Sequence, residues 1–246
     1  MTTETPVPGP SGPSGPATPS PIPGQPGSAT PAPATPFFRQ PAHLAALVLL
    51  AIPLGLLSRS HTGSVAWAAA SFLTAVLHQG LVAAVWRAEL FGKRVTRRFG
   101  TAGFVVYGVL FTLFAASRIA VSAGASHAAP GTLPPPLALW QAVTVAVFVL
   151  FVWLMATVFR YFGMKRALGA DHFFPEYRTM PFVRRGIFRY TRNGMYTFGT
   201  LGFLLPGLLL QSQLGIAAGI YHYLAVWIHY WVTELPDQTL IYGTPK

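Results

Sequence analysis

Residues 137–161 read LALWQAVTVAVFVLFVWLMATVFRY, with Arg160 as the only charge. About 20 consecutive apolar residues carry an α-helix across a bilayer, and this run meets that length without a break. It decides for a membrane-spanning helix. Four similar stretches lie around it, at about 42–58, 64–90, 101–122 and 195–211, and a last one at about 214–234. The expected fold is all-α and polytopic, with about six membrane-embedded helices. The last two, separated by Ser212 and Gln213, form a C-terminal helical hairpin. The stretch 195–211 is short, about 24 Å at 1.5 Å per residue, so a full crossing and a tilted, half-inserted hairpin both stay open.

Composition agrees. The chain is 52% hydrophobic and 9% charged, with mean hydropathy +0.47, whereas soluble domains carry about 25% charged residues. Cysteine is absent, which excludes disulfides and thiolate metal sites. The net charge of +11 raises the question of nucleic acid, but its placement answers it. Five basic residues lie in 87–98 and eight in 160–192, between apolar runs, where short basic loops stay cytoplasmic and face anionic head groups. No nucleic-acid partner is expected. Residues 1–36 are almost wholly Pro, Gly, Ser, Thr and Ala. They lack apolar residues to offset ordering entropy, so a disordered tail is expected there, with the membrane domain at 37–246.

The loops set an orientation. Arg87, Lys93, Arg94, Arg97 and Arg98 mark the second loop as cytoplasmic, and the uncharged 123–136 loop belongs outside. The basic 163–194 segment returns to the cytoplasm, which places both termini there. Arg-rich loops point to a bacterial inner membrane. Arg118, inside the third run near its outer end, is expected to snorkel. His78 could join a haem site only with His222 or His229, and the histidines show no zinc-ligand spacing, so no metal is expected.

The chemistry gathers at the cytoplasmic end of the hairpin. Residues 181–199, PFVRRGIFRYTRNGMYTFG, hold Arg184, Arg185, Arg189 and Arg192 with Tyr190 and Tyr196 just before its first arm. The second arm ends HYWVTELPDQTLIYG, residues 229–243. Glu234, one of only six carboxylate side chains in the chain, closes that apolar run. Spacings of 3, 4 and 7 put Tyr223, Trp227, Tyr230 and Glu234 on one helical face, and antiparallel arms bring Arg192 and Glu234 to the same side. Interfacial anchoring explains such residues. So does a site for a zwitterionic cofactor with a cationic centre: rings stabilise a sulfonium, a carboxylate accepts from hydroxyls or an ammonium, and arginine grips a carboxylate.

GIFRYTRNGMY, an apolar hairpin and TELPDQTLIYG together resemble the superfamily of isoprenylcysteine carboxyl methyltransferases and phospholipid N-methyltransferases. Gly186, Phe188, Arg189, Arg192, Asn193 and Tyr196 fall on its first motif; Glu234 and Tyr242–Gly243 fall on the second; Leu168–Gly169 matches a short upstream element. Gly194 stands where the family usually has proline, and Asn193 where it often has histidine. The resemblance implies an S-adenosylmethionine-dependent membrane methyltransferase with its cofactor region at about 160–246. Arg192, Tyr196, Tyr230 and Glu234 are then the cofactor-binding candidates and Arg184, Arg185 and Arg189 the substrate-binding ones. His229 and Tyr196 are the candidates for catalysis. The implied acceptor is a membrane phospholipid, the amine of phosphatidylethanolamine or its methylated derivatives. Alternatives are a prenylated cysteine carboxylate, a nicotinamide-dependent membrane reductase, and a non-enzymatic membrane scaffold.

Overall fold

Apolar side chains that face outward and polar ones that face inward distinguish this chain from a water-soluble helical protein. In the computed structural model, which describes residues 31–243 apart from residue 62, Leu49, Val105, Val145 and Phe159 are each more than 60% exposed. His43, His78, Arg118, His222 and His229 are buried. Lipid is as apolar as leucine, so the outer faces need no protein cover. Among the described residues the ordered elements are helical, with no strand. Most of the Pro-rich tail, residues 1–30, lies outside the described residues.

Four helices are long and apolar enough to cross a membrane: α1 Gln40–Ser58, α2 Val65–Gly92, α3 Arg94–Ala128, and α4 Leu137–Thr157 extended by a wide π turn to Phe162. The basic stretch after α2 is not a loop but nearly continuous helix. Lys93 turns the chain through a left-handed conformation (φ 50°), and Gly100 (φ 57°, ψ −146°) breaks α3 once more. Glu89, itself buried, stabilises the turn by accepting from the Val95 and Thr96 amides at 3.1 and 3.0 Å. Three single turns follow α4: α5 Met164–Ala167, α6 Ala170–Phe173 and α7 Pro175–Arg178. Then come the hairpin arms. The first runs from Met195 through π and 3-10 turns into α8 Leu205–Leu209; the second is α9 Gln213–His229. A π turn over Tyr230–Glu234 leads into α10 Leu235–Tyr242.

The hairpin reaches the far end of the bundle. Gly131 N donates to Leu210 O (3.0 Å), Thr132 N to Gln211 O (2.9 Å), and Gln213 Nε2 to Thr132 O (2.7 Å), so its tip is tied to the loop after α3. The tip therefore stands at the end of the bundle where α3 ends. Its arms pack backbone against backbone. A Cβ on Gly207 would stand 2.3 Å from Ile216 N, and one on Gly219 would stand 2.6 Å from Phe203 O. Small residues allow such approach where van der Waals contact is the main attraction. α9 then lies in the middle of the bundle, burying Leu214, Ala218, Tyr221 and Ala225 against Leu47, Leu54, Ala75 and Ala125 of α1–α3.

Two arginines expected at the surface are inside. Arg118 does not snorkel. It is buried, donates from Nε to His222 Nδ1 (3.0 Å) and from Nη2 to His222 O (2.8 Å), and lies 4.8 Å above the Phe203 ring. Histidine, carbonyl and ring together replace the solvation that snorkelling would otherwise have to seek. Arg87 is not a loop charge either: it is 1% exposed and pairs with Asp237 at 3.1 Å.

Candidate active site

α10 brings Asp237, fully buried, against Arg87 of α2. The same guanidinium donates from Nη1 to the carbonyls of Pro36 (3.3 Å) and Phe38. Gln40 Nε2 donates to Thr233 Oγ1 at 3.1 Å. The start of α1, the end of α2 and the chain after α9 are thereby fastened at one end of the bundle.

α6 adds the next layer. His172 stacks on the Trp86 indole with ring centroids 3.9 Å apart. The stack requires Gly169: its φ is +77°, and a Cβ there would stand 2.5 Å from Trp86 Cζ2. His172 Nδ1 donates to Asp171 Oδ1 at 3.1 Å, and Tyr242 OH donates to Asp171 Oδ2 at 2.8 Å. Burial pushes the Asp171 carboxyl up, but these two hydrogen bonds outweigh it and hold the group below its ordinary range. Burial also pushes the Asp237 carboxyl up, against the pull of Arg87, and there burial prevails.

Glu234 stands beyond the spanning arm, which ends with α9 at His229. Its Oε1 accepts from Gln238 Nε2 at 3.0 Å, while Oε2 is buried and meets no donor. Burial, with Asp171 and Asp237 as further negative neighbours, pushes this carboxyl up to about 8. The residue as a whole keeps some exposure; it is the carboxylate oxygen that is enclosed. The π turn alters the expected one-face arrangement. Trp227 and Tyr230 do meet Tyr196, with ring centroids 5.9 and 4.9 Å away. A π turn, however, holds more residues than an α turn, and Glu234 emerges beside Gln238 and the Asp171–Asp237 group instead.

Of the other expected site residues, Arg184, Arg185, Arg189 and Arg192 are all exposed on the segment before the hairpin, with the Arg185 guanidinium 6.0 Å from the Tyr161 ring. Asn193 lies close to the Tyr230 hydroxyl. His229 is buried 5.4 Å from His43 and 5.9 Å from Trp86, with both ring nitrogens unpartnered. No group of three or more metal-ligating side chains occurs among the described residues.

Trp86, Arg87, Tyr107, Asp171, His172 and Asp237 were not legible as site residues. They come from four separate elements, α2, α3, α6 and α10, and only Leu168–Gly169 signalled that α6 mattered. Trp86 Nε1, Arg87 Nη2, Tyr107 OH, His172 Nε2 and Glu234 Oε2 are all buried with no hydrogen-bond partner within the protein. Tyr107 OH and Trp86 Nε1 lie close without an aligned bond, and Tyr107 is within electrostatic reach of Glu234 and Asp171. More than about nine in ten buried polar groups are satisfied, so such a cluster suits a polar ligand. It brings donors and an acceptor carboxylate together.

The family model for phospholipid methyltransferases matches residues 139–245, from α4 to the C-terminal tail. That match is consistent with the superfamily that its two motifs resemble. Neither the curated proteins nor the solved structures contain a match. Trp86, Arg87 and Tyr107 stand outside the matched region, so the site is completed by α2 and α3.

Proposed function

We propose that this protein transfers a methyl group from S-adenosylmethionine to the amine of phosphatidylethanolamine or its partly methylated derivatives, at the cytoplasmic face of a bacterial inner membrane with both termini inside. The observation that carries the reading is Glu234: within the region matched to phospholipid methyltransferases, it buries a carboxylate oxygen that no protein donor reaches.

S-adenosylmethionine supplies an electrophilic methyl on a sulfonium. Glu234 would hold its ammonium or ribose hydroxyls, and Arg87 Nη2 and Arg192 its carboxylate. The rings of Tyr196 and Tyr230 would face the positive sulfur. Arg184, Arg185 and Arg189, all exposed, would grip the lipid phosphate as charge-assisted donors. What remains for the protein is to align the amine with the methyl, about 3–3.5 Å away, and to exclude water.

The test offers labelled S-adenosylmethionine to the detergent-purified protein with phosphatidylethanolamine, a prenylated cysteine analogue and a soluble amine. Label in phosphatidylethanolamine is expected. Label only in the prenylated cysteine moves the protein to the carboxyl methyltransferases, and label only in the soluble amine removes the lipid acceptor.

A further inference from the structure

We propose that His172 is the catalytic base that removes the acceptor's ammonium proton, with Asp171 as its positioning residue; the proposal rests on the amine-methyltransferase reading above.

At neutral pH a head-group ammonium has no lone pair and cannot attack a methyl. A proton must leave first, and the N–H electron pair stays on nitrogen. That pair then forms the new N–C bond, while the C–S pair remains on sulfur and the sulfonium becomes a neutral thioether. The proton needs an acceptor at the site. Most of the nearby carboxylate oxygens are engaged. Asp171 accepts from His172 and Tyr242, Asp237 is paired with Arg87, and Glu234 Oε1 accepts from Gln238. Glu234 Oε2 is assigned to the cofactor. Asn193, in the signature stretch, is an amide and no base.

His172 has the geometry for the task. In the neutral ring a hydrogen on Nδ1 directed at Asp171 puts the lone pair on Nε2. Nε2 is buried without a hydrogen-bond partner, and the nearest carboxylate oxygen, Asp237 Oδ2, is 3.8 Å away. The ring is held by its stack on Trp86. Its backbone is held by Arg178, whose Nη2 donates to His172 O (3.3 Å) and whose Nε donates to Asp171 O (2.7 Å). Such fixing keeps a reacting group in one orientation. The unpartnered Trp86 Nε1, Arg87 Nη2 and Tyr107 OH come from the helices packed against α6. The charged and titratable groups facing His172 are therefore Asp171 beside it, Arg87 from α2, Tyr107 from α3, Arg178 from α7, and Glu234, Asp237 and Tyr242 from the C-terminal segment. After transfer the proton rests on His172 Nε2, and the imidazolium faces the carboxylates of Asp171 and Asp237.

The experiment uses the full chain in detergent, with His172→Asn and Asp171→Asn. Calorimetry with S-adenosylhomocysteine reads the cofactor site, and methyl transfer to phosphatidylethanolamine is followed from pH 6.5 to 9.5. His172→Asn should keep cofactor affinity within about twofold and lose about 100- to 10,000-fold in kcat at pH 7, the usual worth of a general base. The loss should shrink steadily toward pH 9.5, where solvent deprotonates an amine of pKa near 10. Asp171→Asn should show a smaller loss with the same pH pattern, and added imidazole should partly restore His172→Asn. An equal loss at every pH, or a loss of cofactor affinity in both variants, assigns His172 to structure and overturns the proposal. So does an unchanged kcat. A wild type inactive on every amine overturns the functional reading and the base with it, whereas an active wild type with any of those variant results overturns the base alone.

Discussion

Replacing Arg87 with alanine would leave the Asp237 carboxylate fully enclosed with no counter-charge. The two side chains are 1% and 0% exposed, so solvent screening gives no relief. Removing one partner of a buried pair costs about 3–5 kcal/mol. The Pro36 and Phe38 carbonyls lose their donor at the same time. For a chain of this size about 1 kcal/mol moves Tm by roughly 2–4 °C, so Arg87→Ala should lower Tm by about 6–20 °C. The assay is thermal unfolding in detergent by intrinsic fluorescence, with Arg98→Ala as the surface comparison and Arg87→Met/Asp237→Leu as the apolar replacement of the pair. Burying two apolar side chains removes the desolvation penalty, so the double variant should recover most of the loss. A Tm for Arg87→Ala within about 1 °C of wild type, or a double variant no better than the single one, would refute the claim that this pair fastens α2 to the C-terminal segment.

Glu234→Gln should weaken S-adenosylhomocysteine binding at least tenfold while the protein stays folded. Because burial raises this carboxyl to about 8, it is protonated below that pH, and only the ionised form offers an ammonium a counter-charge; calorimetry should show wild-type affinity rising from pH 6.5 to about 8 and levelling above, with the Gln variant flat. A Cβ at Gly169 would strike the Trp86 ring and occupy a left-handed backbone position, so Gly169→Ala should cost about 1–3 kcal/mol and shift tryptophan emission; wild-type emission and Tm would count against the stack. Deleting residues 2–30 should leave Tm and methyl transfer unchanged, whereas deleting 2–40 should lower both, because Arg87 and Thr233 then lose Pro36, Phe38 and Gln40 as partners. Equal effects of the two deletions would refute the clamp.

Local composition was sufficient for the spanning runs, since length and apolar content are properties of consecutive residues. It singled out Glu234, a carboxylate closing such a run, but gave no sign that its charged neighbours would be the carboxylates of Asp171 and Asp237. Helical spacing predicted the Trp227–Tyr230 face but not the π turn that redirects Glu234, because a single i to i+5 step has no periodic signal. Arg87 read as a topology charge because its partner, Asp237, is 150 positions away along the chain. Arg118 misled for the same reason: His222 and Phe203 compensate it from another arm of the fold.

The sequence by itself determined the solvent. Too few charges and runs too long for anything but a bilayer specified a helical membrane protein, and two short motifs specified the class of its C-terminal third. Tertiary structure decided which charges are surface and which are site. A buried charge is tolerated only where partners meet it, and here those partners are carried by helices far apart in the chain. Only packing α2, α6 and α10 against one another places Trp86, His172, Arg87 and Asp237 within reach of each other and turns a loop arginine and an unremarked histidine into neighbours in one buried cluster.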